Sequence, residues 1–280
     1  MFWANRGVEL KTPEQLRTMR RAGLVVSAAL DAVTAAVRAG VTTAELDAVA
    51  AEVISAAGAD PSFLDYGSVD GVGGFTGVTC ISVNAEIVHG VPGPRVLAPG
   101  DVVSVDCGAI VAGWHGDSAR TVFVGEPSPE AAALSEATRL AMWHGVGAAR
   151  LGGHVGDISA AVEGYVASCG SAYAIVEEYV GHGIGSEMHQ PPDVPNFGRA
   201  GRGAKISEGL ALAVEPMLTL GSAENHTLED DWTVVTDDGS LAAHWEHTMT
   251  VTPHGVWVLT AEDGGEEMLA ALGVPFGPLR

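Results

Sequence analysis

Residues 100–125, GDVVSVDCGAIVAGWHGDSARTVFVG, decide how this chain folds. Residues 102–111 are rich in β-branched side chains, and residues 120–124 form a second run of strand-forming residues. Because the dipeptide Ala112-Gly113 lies between these runs, the segment predicts a β-hairpin with a two-residue turn. In such a hairpin position 111 faces position 114, and position 106 faces position 119.

Two carboxylates lie within this hairpin. Asp106 stands among apolar strand residues, where an unpaired ionised carboxylate is costly or becomes protonated. In the register above, Asp117 lies diagonally across on the same face of the hairpin. Two like charges at this separation are stable only with a shared proton or with metal ions between them. An alternative interpretation of Asp117, in the sequence HGDS, is an Asx-turn residue.

The later part of the chain offers three further candidate ligands. Glu215 ends the apolar run LALAV, Glu246 lies in HWEHTMTVT, and His182 lies in GHGIG. Four carboxylates and one neutral imidazole suit hard divalent cations, and two metal ions about 3.5–4 Å apart need bridging carboxylates. The set predicts a hydrolase site in outline. Each residue also has an alternative interpretation when taken singly. Glu215 could be a solvated residue at a strand end, and His182 could be a hydrogen-bonded core residue.

Four helices are expected around these strands. Thr12-Pro13-Glu14 and Ser128-Pro129-Glu130 each supply an N-cap followed by proline, and predict helices to about residues 37 and 150. Thr42 and Glu45 have capping-box spacing before a helix that ends near residue 58. Asp157 is expected to cap a fourth helix that ends near residue 170. Helices followed by strands, twice over, predict an α+β architecture with an antiparallel sheet.

The two halves of the chain resemble each other weakly. The motif at residues 38–46, which begins Arg-Ala-Gly, has a counterpart 112 residues later in Arg-Leu-Gly at residues 150–152 and Asp-Ile at residues 157–158. PGDVVSVD, ending at Asp106, likewise parallels EGLALAVE, ending at Glu215, and residues 210–214 and 244–252 are further predicted strands. The pattern predicts one domain, 1–280, with pseudo-repeats at about 12–125 and 126–255, against the alternative of chance similarity.

Composition excludes several classes of protein. The chain has 14 basic and 35 acidic residues, a formal charge of −21, and no basic patch that could neutralise a nucleic-acid backbone. Cysteine occurs only at positions 80, 107 and 169, without a CxxC pair, which disfavours a disulfide framework and a thiolate zinc site. No run approaches the roughly 20 apolar residues of a membrane span. We therefore expect a cytoplasmic protein without nucleic-acid or membrane partners.

Several blocks of the sequence resemble the type I methionine aminopeptidases over nearly the whole chain. The matching blocks occur in the family's order and are KTPEQLRTMRRAG, CISVNAEIVHGVPG, residues 100–125 as quoted above, GHGIGSEMHQPP, LALAVEPML and DWTVVTDDGSLAAHWEHTMTVT. The resemblance implies the pita-bread fold, a curved antiparallel sheet with two helix pairs and internal pseudo-twofold symmetry. It also implies removal of the initiator methionine from nascent proteins by a metal-bridging water.

The resemblance further implies which residues hold metal. By position in the family's motifs, the ligands of two divalent ions (Co, Mn, Fe or Zn) are Asp106, Asp117, His182, Glu215 and Glu246. Asp117 and Glu246 are the implied bridging carboxylates, and Glu215 the group that handles the proton of the attacking water. A monovalent cation is implied near Asn84, although Ala242 replaces a hydroxyl sometimes found there.

Two histidines and a side-chain pocket complete the implied site. His189 is expected to hydrogen-bond the scissile carbonyl oxygen, and His89 to contact the following peptide nitrogen or the leaving group. The methionine pocket is expected to be lined by Phe75, Cys80, Met188 and Trp232. This chain departs from the family in Thr76-Gly77, which replaces the usual Pro-Lys, and in Val72, which stands where an aromatic residue is common.

One alternative is a paralogue that removes another N-terminal residue, because pocket selectivity can depend on only about 1–3 kcal/mol. Two other competing functions remain at this stage. One is an X-Pro aminopeptidase or dipeptidase of the same fold, although such enzymes usually carry a further N-terminal domain. The other is a non-enzymatic binding paralogue, although such proteins are expected to lose ligand residues. The expected partner is the N-terminal peptide of nascent proteins. Transient proximity to the ribosome is conceivable for such an enzyme, but the sequence has no basic patch to support it.

Overall fold

The computed structural model describes residues 7–69, 72–170 and 172–279. Within these stretches the helices are α1 (Pro13–Ala36), α2 (Thr43–Ala56), α3 (Pro129–Ala148), α4 (Val155–Ser168) and α5 (Glu266–Ala271). The four predicted helices are therefore present as two consecutive pairs. None of the described helices is long and apolar enough to span a bilayer.

Capping boxes start the first helix pair. The Thr12 hydroxyl accepts the N–H of Gln15 at 3.3 Å, while the Gln15 side chain accepts the N–H of Thr12 at 2.7 Å. Thr42 and Glu45 repeat this exchange at 3.2 and 2.7 Å, as the sequence predicts. Each box satisfies two N–H groups that have no partner inside the helix.

The predicted cap of the fourth helix is wrong by three residues. Helix α4 begins at Val155, and His154 occupies the cap position. The Asp157 carboxylate reaches back to the N–H of His154 at 3.0 Å and also accepts the N–H of Gly201 at 2.8 Å. Asp157 therefore corresponds to Glu45 of helix α2, at the third position after the cap. A carboxylate at this position can accept a hydrogen bond from the backbone N–H of the cap residue.

The strands form four antiparallel groups among the described residues. Their bounds are β1 (Asp60–Pro61), β2 (Thr79–Val83), β3 (Glu86–Val88), β4 (Val102–Val111), β5 (Trp114–Phe123), β6 (Ala174–Ile175), β7 (Gly181–Gly183), β8 (Gln190–Val194), β9 (Ala211–Val214), β10 (Met217–Thr219), β11 (Asn225–Thr227), β12 (Val234–Thr236), β13 (Ala242–His244), β14 (His247–Thr252) and β15 (Gly255–Val258). One sheet has the order β1-β4-β2, with β5 also paired to β4, and another has the order β15-β14-β9-β7-β8. Two smaller sheets have the orders β13-β10-β6 and β11-β12-β3.

The central hairpin has the predicted register. Val111 pairs with Trp114, Asp106 pairs with Ala119, and Asp117 pairs with Gly108. Strand β5 begins at Trp114, earlier than the strand-forming run at residues 120–124 indicates, because the polar residues before this run also pair with β4. The two-residue turn thus fixes which side chains share a face.

The prediction of a single strand at residues 244–252 is wrong, because two separate strands lie there with a short interruption between them. Strand β13 ends at His244 and β14 begins at His247, so Glu246 lies in the break. Strands β9 and β10 break in the same way at Glu215 and Pro216. In each case one segment pairs in the five-stranded sheet and the other in a three-stranded sheet.

The first sheet joins the second at this break. Ala119 of β5 accepts the N–H of Glu246 at 3.0 Å and donates its own N–H to the Glu246 carbonyl at 3.4 Å. The Thr121 hydroxyl donates to the carbonyl of His244 at 2.9 Å. These bonds bring carboxylates from separate parts of the sequence to one place.

Each helix pair covers one sheet through a separate hydrophobic cluster. One cluster joins α1 and α2 to β2 and β4, and the other joins α3 and α4 to β9, β14 and β15. Helix α1 approaches β5 closely, since a Cβ atom added to Gly116 would lie 2.6 Å from the backbone nitrogen of Gly23. The absence of a side chain at Gly116 permits this contact.

Candidate metal centre and substrate cavity

The five residues expected to bind metal lie together. Asp106 and Asp117 come from the β4–β5 hairpin, and His182 from β7. Glu215 and Glu246 come from the two strand breaks. All five side chains are buried, and the most exposed residues retain 9% of their accessible surface.

Pairs of ligating atoms are close enough to share a cation. Nε2 of His182 lies 3.3 Å from Oε1 of Glu215 and 3.9 Å from Oδ2 of Asp117. Candidate ligand atoms of Asp117, His182 and Glu246 all lie within 4.8 Å of one another. A second group, formed by Glu215, His244 and Glu246, meets the same limit, so Glu246 belongs to both.

These carboxylates lack protein partners for part of their hydrogen-bonding capacity. One oxygen each of Asp106, Asp117, Glu215 and Glu246 is buried without a hydrogen bond to any described group. The Nε2 atom of His244 is buried and unpartnered in the same way. Buried polar atoms are normally satisfied, so this concentration fits a group of divalent cations as the missing partner.

The electrostatics agree with that interpretation. Burial raises the pKa of Asp106, Asp117, Glu215 and Glu246, and the negative charges of neighbouring carboxylates raise the pKa of the last three further. Within the described part of the chain, no lysine or arginine contributes to these four shifts. Divalent cations would stabilise the ionised forms that the protein alone disfavours.

His182 presents one particular nitrogen to the carboxylates. Its Nδ1 lies 3.0 Å from the carbonyl oxygen of Gly183, and a carbonyl can only accept a hydrogen bond. The proton therefore sits on Nδ1 and leaves the Nε2 lone pair facing Glu215. Burial lowers the pKa of His182 to about 4, which keeps the ring neutral as a metal ligand requires.

The cluster forms one wall of a cavity of about 470 Å³. His89, His189, Phe75, Cys80 and Trp232 also line this cavity, as the resemblance implies. Burial raises the pKa of the Cys80 thiol, which keeps it neutral and lets it act as a small apolar side chain.

Met188 occupies a different place from the other expected pocket residues. It is buried in one hydrophobic cluster with Phe75 and Cys80, but it lines a second cavity of about 330 Å³. Tyr66 and His189 line both cavities. Direct contact of Met188 with a substrate side chain stays a prediction.

The two expected active-site histidines are neutral and surrounded by rings. His89 has a positive φ of 59° and packs edge-on against Tyr179, with ring centroids 5.6 Å apart. The ring of His189 packs against that of His182 at 4.3 Å. Burial is the cause of the low pKa of about 4 at His89 and the largest cause of the pKa of about 2 at His189.

Sequence analysis missed Tyr66 and His244. Val72 is 74% exposed, and Tyr66 supplies an aromatic ring to the cavity instead. The Tyr66 hydroxyl oxygen lies 2.6 Å from Nδ1 of His189, a contact that no local pattern reveals. His244 had a signal, because it lies two residues before Glu246 in HWEH.

Comparison with known proteins identifies relatives that are metallopeptidases, in agreement with the candidate metal centre. The model of metallopeptidase family M24 matches residues 17–253. Methionine aminopeptidase of Clostridium acetobutylicum is 46% identical over 252 residues, which covers 90% of this chain and 98% of that protein. Methionine aminopeptidase 1 of Mycobacterium tuberculosis is 46% identical over 260 residues, or 91% of this chain and 96% of that protein.

The chain belongs to the methionine aminopeptidases of metallopeptidase family M24.

Solved structures of this family confirm the pita-bread fold. A methionine aminopeptidase from Thermotoga maritima superposes with a TM-score of 0.87 at 36% identity, covering 91% of this chain and all of that one. The prolidase of Pyrococcus furiosus shares the fold alone, with a TM-score of 0.70 at 21% identity. The present chain covers only 65% of that prolidase.

Proposed function

We propose that this protein is a divalent-metal aminopeptidase that removes the N-terminal methionine from newly made polypeptides. The observation that carries the proposal is the buried group of four carboxylates and a neutral imidazole at the wall of a cavity lined by apolar and aromatic side chains. The family and the names of its members support it. A site of this kind can activate water and accept a single side chain, which are the two tasks in release of one N-terminal residue.

In this proposal two divalent ions, of Co, Mn, Fe or Zn, are held by Asp106, Asp117, His182, Glu215 and Glu246. Asp117 and Glu246 are the two carboxylates that would be shared between the ions; Glu246 belongs to both candidate groups, and Asp117 to the first. Such ions polarise a scissile carbonyl and make an attacking water molecule more acidic.

The remaining steps fall to the protein's own side chains. Glu215 would receive the proton of the attacking water, since it is buried beside His182 with one unpartnered oxygen. His189 would donate a hydrogen bond to the carbonyl oxygen as negative charge develops there. His89 would contact the following peptide nitrogen or the leaving group.

Binding of the methionine side chain would use the apolar wall of the cavity. Phe75 and Trp232 pack edge-on with ring centroids 5.3 Å apart, and Cys80 is buried beside them in the same cluster. The thioether and methylenes of methionine make favourable contacts with aromatic edges and faces. These rings therefore support selection of methionine over polar side chains.

The monovalent cation near Asn84 stays a prediction. The Asn84 amide nitrogen donates to Asp101 at 2.8 Å, and its amide oxygen accepts the N–H of Val102 at 2.9 Å. Its backbone carbonyl accepts the N–H of Ala242 at 2.9 Å. A cation there would therefore use remaining lone pairs of oxygens that already accept hydrogen bonds. A cytoplasmic location and proximity to the ribosome are likewise predictions.

The test is an assay of metal-stripped protein, resupplied in turn with Mn²⁺ and Co²⁺, on Met-Ala-Ser, Leu-Ala-Ser and Ala-Pro-Ser peptides. Metal-dependent release of methionine alone is the expected result. Glu246→Gln should abolish release, whereas the exposed Glu52→Gln control, with the same change of charge, should not. Cleavage of Ala-Pro-Ser would indicate the X-Pro specificity, and no cleavage by metal-loaded protein would indicate a binding paralogue.

A further inference from the structure

The backbone places Tyr66 beside His189 independently of its hydroxyl. The N–H of Tyr66 donates to the carbonyl of Phe63 at 2.9 Å, and its carbonyl accepts the N–H of Phe75 at 3.0 Å. Asp65 and Gly74 approach so closely that a Cβ atom on Gly74 would lie 2.8 Å from Cα of Asp65. Loss of the hydroxyl alone should therefore leave this segment in place.

The Tyr66 hydroxyl contacts one of the two expected active-site histidines. Its oxygen lies 2.6 Å from Nδ1 of His189, and the two rings meet edge-on with centroids 5.1 Å apart. Nδ1 is thus occupied, and Nε2 is the nitrogen of His189 left for a bound peptide. A neutral imidazole carries a single N–H, so the partner of one nitrogen decides what the other can do.

His182 and His189, whose rings are in contact, have opposite kinds of partner at Nδ1. His182 faces the Gly183 carbonyl, which only accepts, so its Nε2 carries a lone pair. His189 faces the Tyr66 hydroxyl, which can donate. A peptide carbonyl needs a donor, and His189 can be that donor only if its proton is on Nε2.

We propose that Tyr66 is a positioning residue whose hydroxyl donates to Nδ1 of His189 and keeps the imidazole proton on Nε2, directed at the substrate carbonyl oxygen. This inference rests on the proposed function. A residue that only lined the cavity with its ring would not need a hydroxyl, so this role of Tyr66 is an additional one. The role is that of an outer partner which fixes a tautomer, and loss of such partners typically costs about 10- to 100-fold in activity.

The first test reads the tautomer directly. Protein with ¹⁵N-labelled histidine is loaded with Zn²⁺, which is diamagnetic, and the His189 side chain is assigned by comparison with His189→Ala. We expect the N–H on Nε2 in His189 and on Nδ1 in His182, and a mixture at His189 in Tyr66→Phe. An Nδ1–H tautomer of His189, or no change in Tyr66→Phe, would overturn the inference.

The second test separates this role from a structural one. Tyr66→Phe should lower kcat for Met-Ala-Ser about 10- to 100-fold with little change in KM, while Tyr173→Phe, outside the cavity, should not. In a His189→Ala background the same substitution should have almost no further effect. An equal loss in both backgrounds would refute the coupling. Because the tautomer is read without turnover, an inactive protein with the expected tautomer would refute the proposed function alone.

Discussion

Replacement of Glu246 by glutamine should stabilise the metal-free protein while it prevents metal binding. Glu246 is 1% exposed, and burial followed by the charges of Glu215 and Asp106 raises its pKa. At Glu246 the folded metal-free protein therefore binds more protons than the unfolded chain. The contribution of Glu246 to stability therefore falls as pH rises above about 4.5, the ordinary pKa of a glutamate, because this residue ionises first in the unfolded chain.

The geometry sets the size of this effect. Candidate ligand oxygens of Glu215 and Glu246 lie within 4.8 Å. Two unit charges at that separation repel by about 3 kcal/mol at an effective dielectric constant of about 20. Partial protonation relieves some of this repulsion, so we expect Glu246→Gln to gain about 1–3 kcal/mol at about pH 8. For a chain of this size the gain corresponds to roughly 2–10 °C in Tm.

Thermal unfolding in EDTA at about pH 8 and about pH 4 measures the difference. The gain should be present at the higher pH and nearly absent at the lower, where Glu246 is protonated in both states. Added Zn²⁺ should raise the Tm of the parent protein far more than that of the variant. Glu52→Gln controls for net charge. A variant that is no more stable than the parent in EDTA at the higher pH would refute this account of the cluster.

Three other perturbations test the active-site chemistry, the side-chain pocket and the fold. His189→Ala should lower kcat by about 10²–10³-fold, measured as methionine release, because a hydrogen bond to the developing oxyanion is lost; a loss confined to KM would contradict that role. Trp232→Ala should reduce the preference for methionine over leucine, measured as the ratio of kcat/KM values, because Phe75 loses the ring it packs against. Glu9→Gln should lower the urea midpoint near neutral pH, since hydrogen bonds from Ser186 and Gln190 help lower the Glu9 pKa to about 2. That difference should shrink as pH falls from about 4.5 toward 2, where Glu9 becomes protonated.

The sequence allowed the hairpin to be predicted in register because the two-residue turn and the period of two determine it locally. Asp106 and Asp117 could therefore be placed on one face from the residue pattern alone. The end of a strand at Glu215 was predicted from the apolar run LALAV. The break at Glu246 was missed, because residues 244–252 have one continuous strand-like pattern while the partner sheet changes. Tyr66 was missed for a related reason, since its contact with His189 joins residues 123 positions apart.

The candidate ligands are divided between two stretches of chain. Asp106 and Asp117 precede the connection between β5 and α3, whereas His182, Glu215 and Glu246 follow it. A protein cut in that connection would leave neither fragment with a complete set of ligands. Metal ions would then bind ligands from both fragments and hold them together. Two separately supplied fragments would therefore associate when metal is added and dissociate when a chelator removes it.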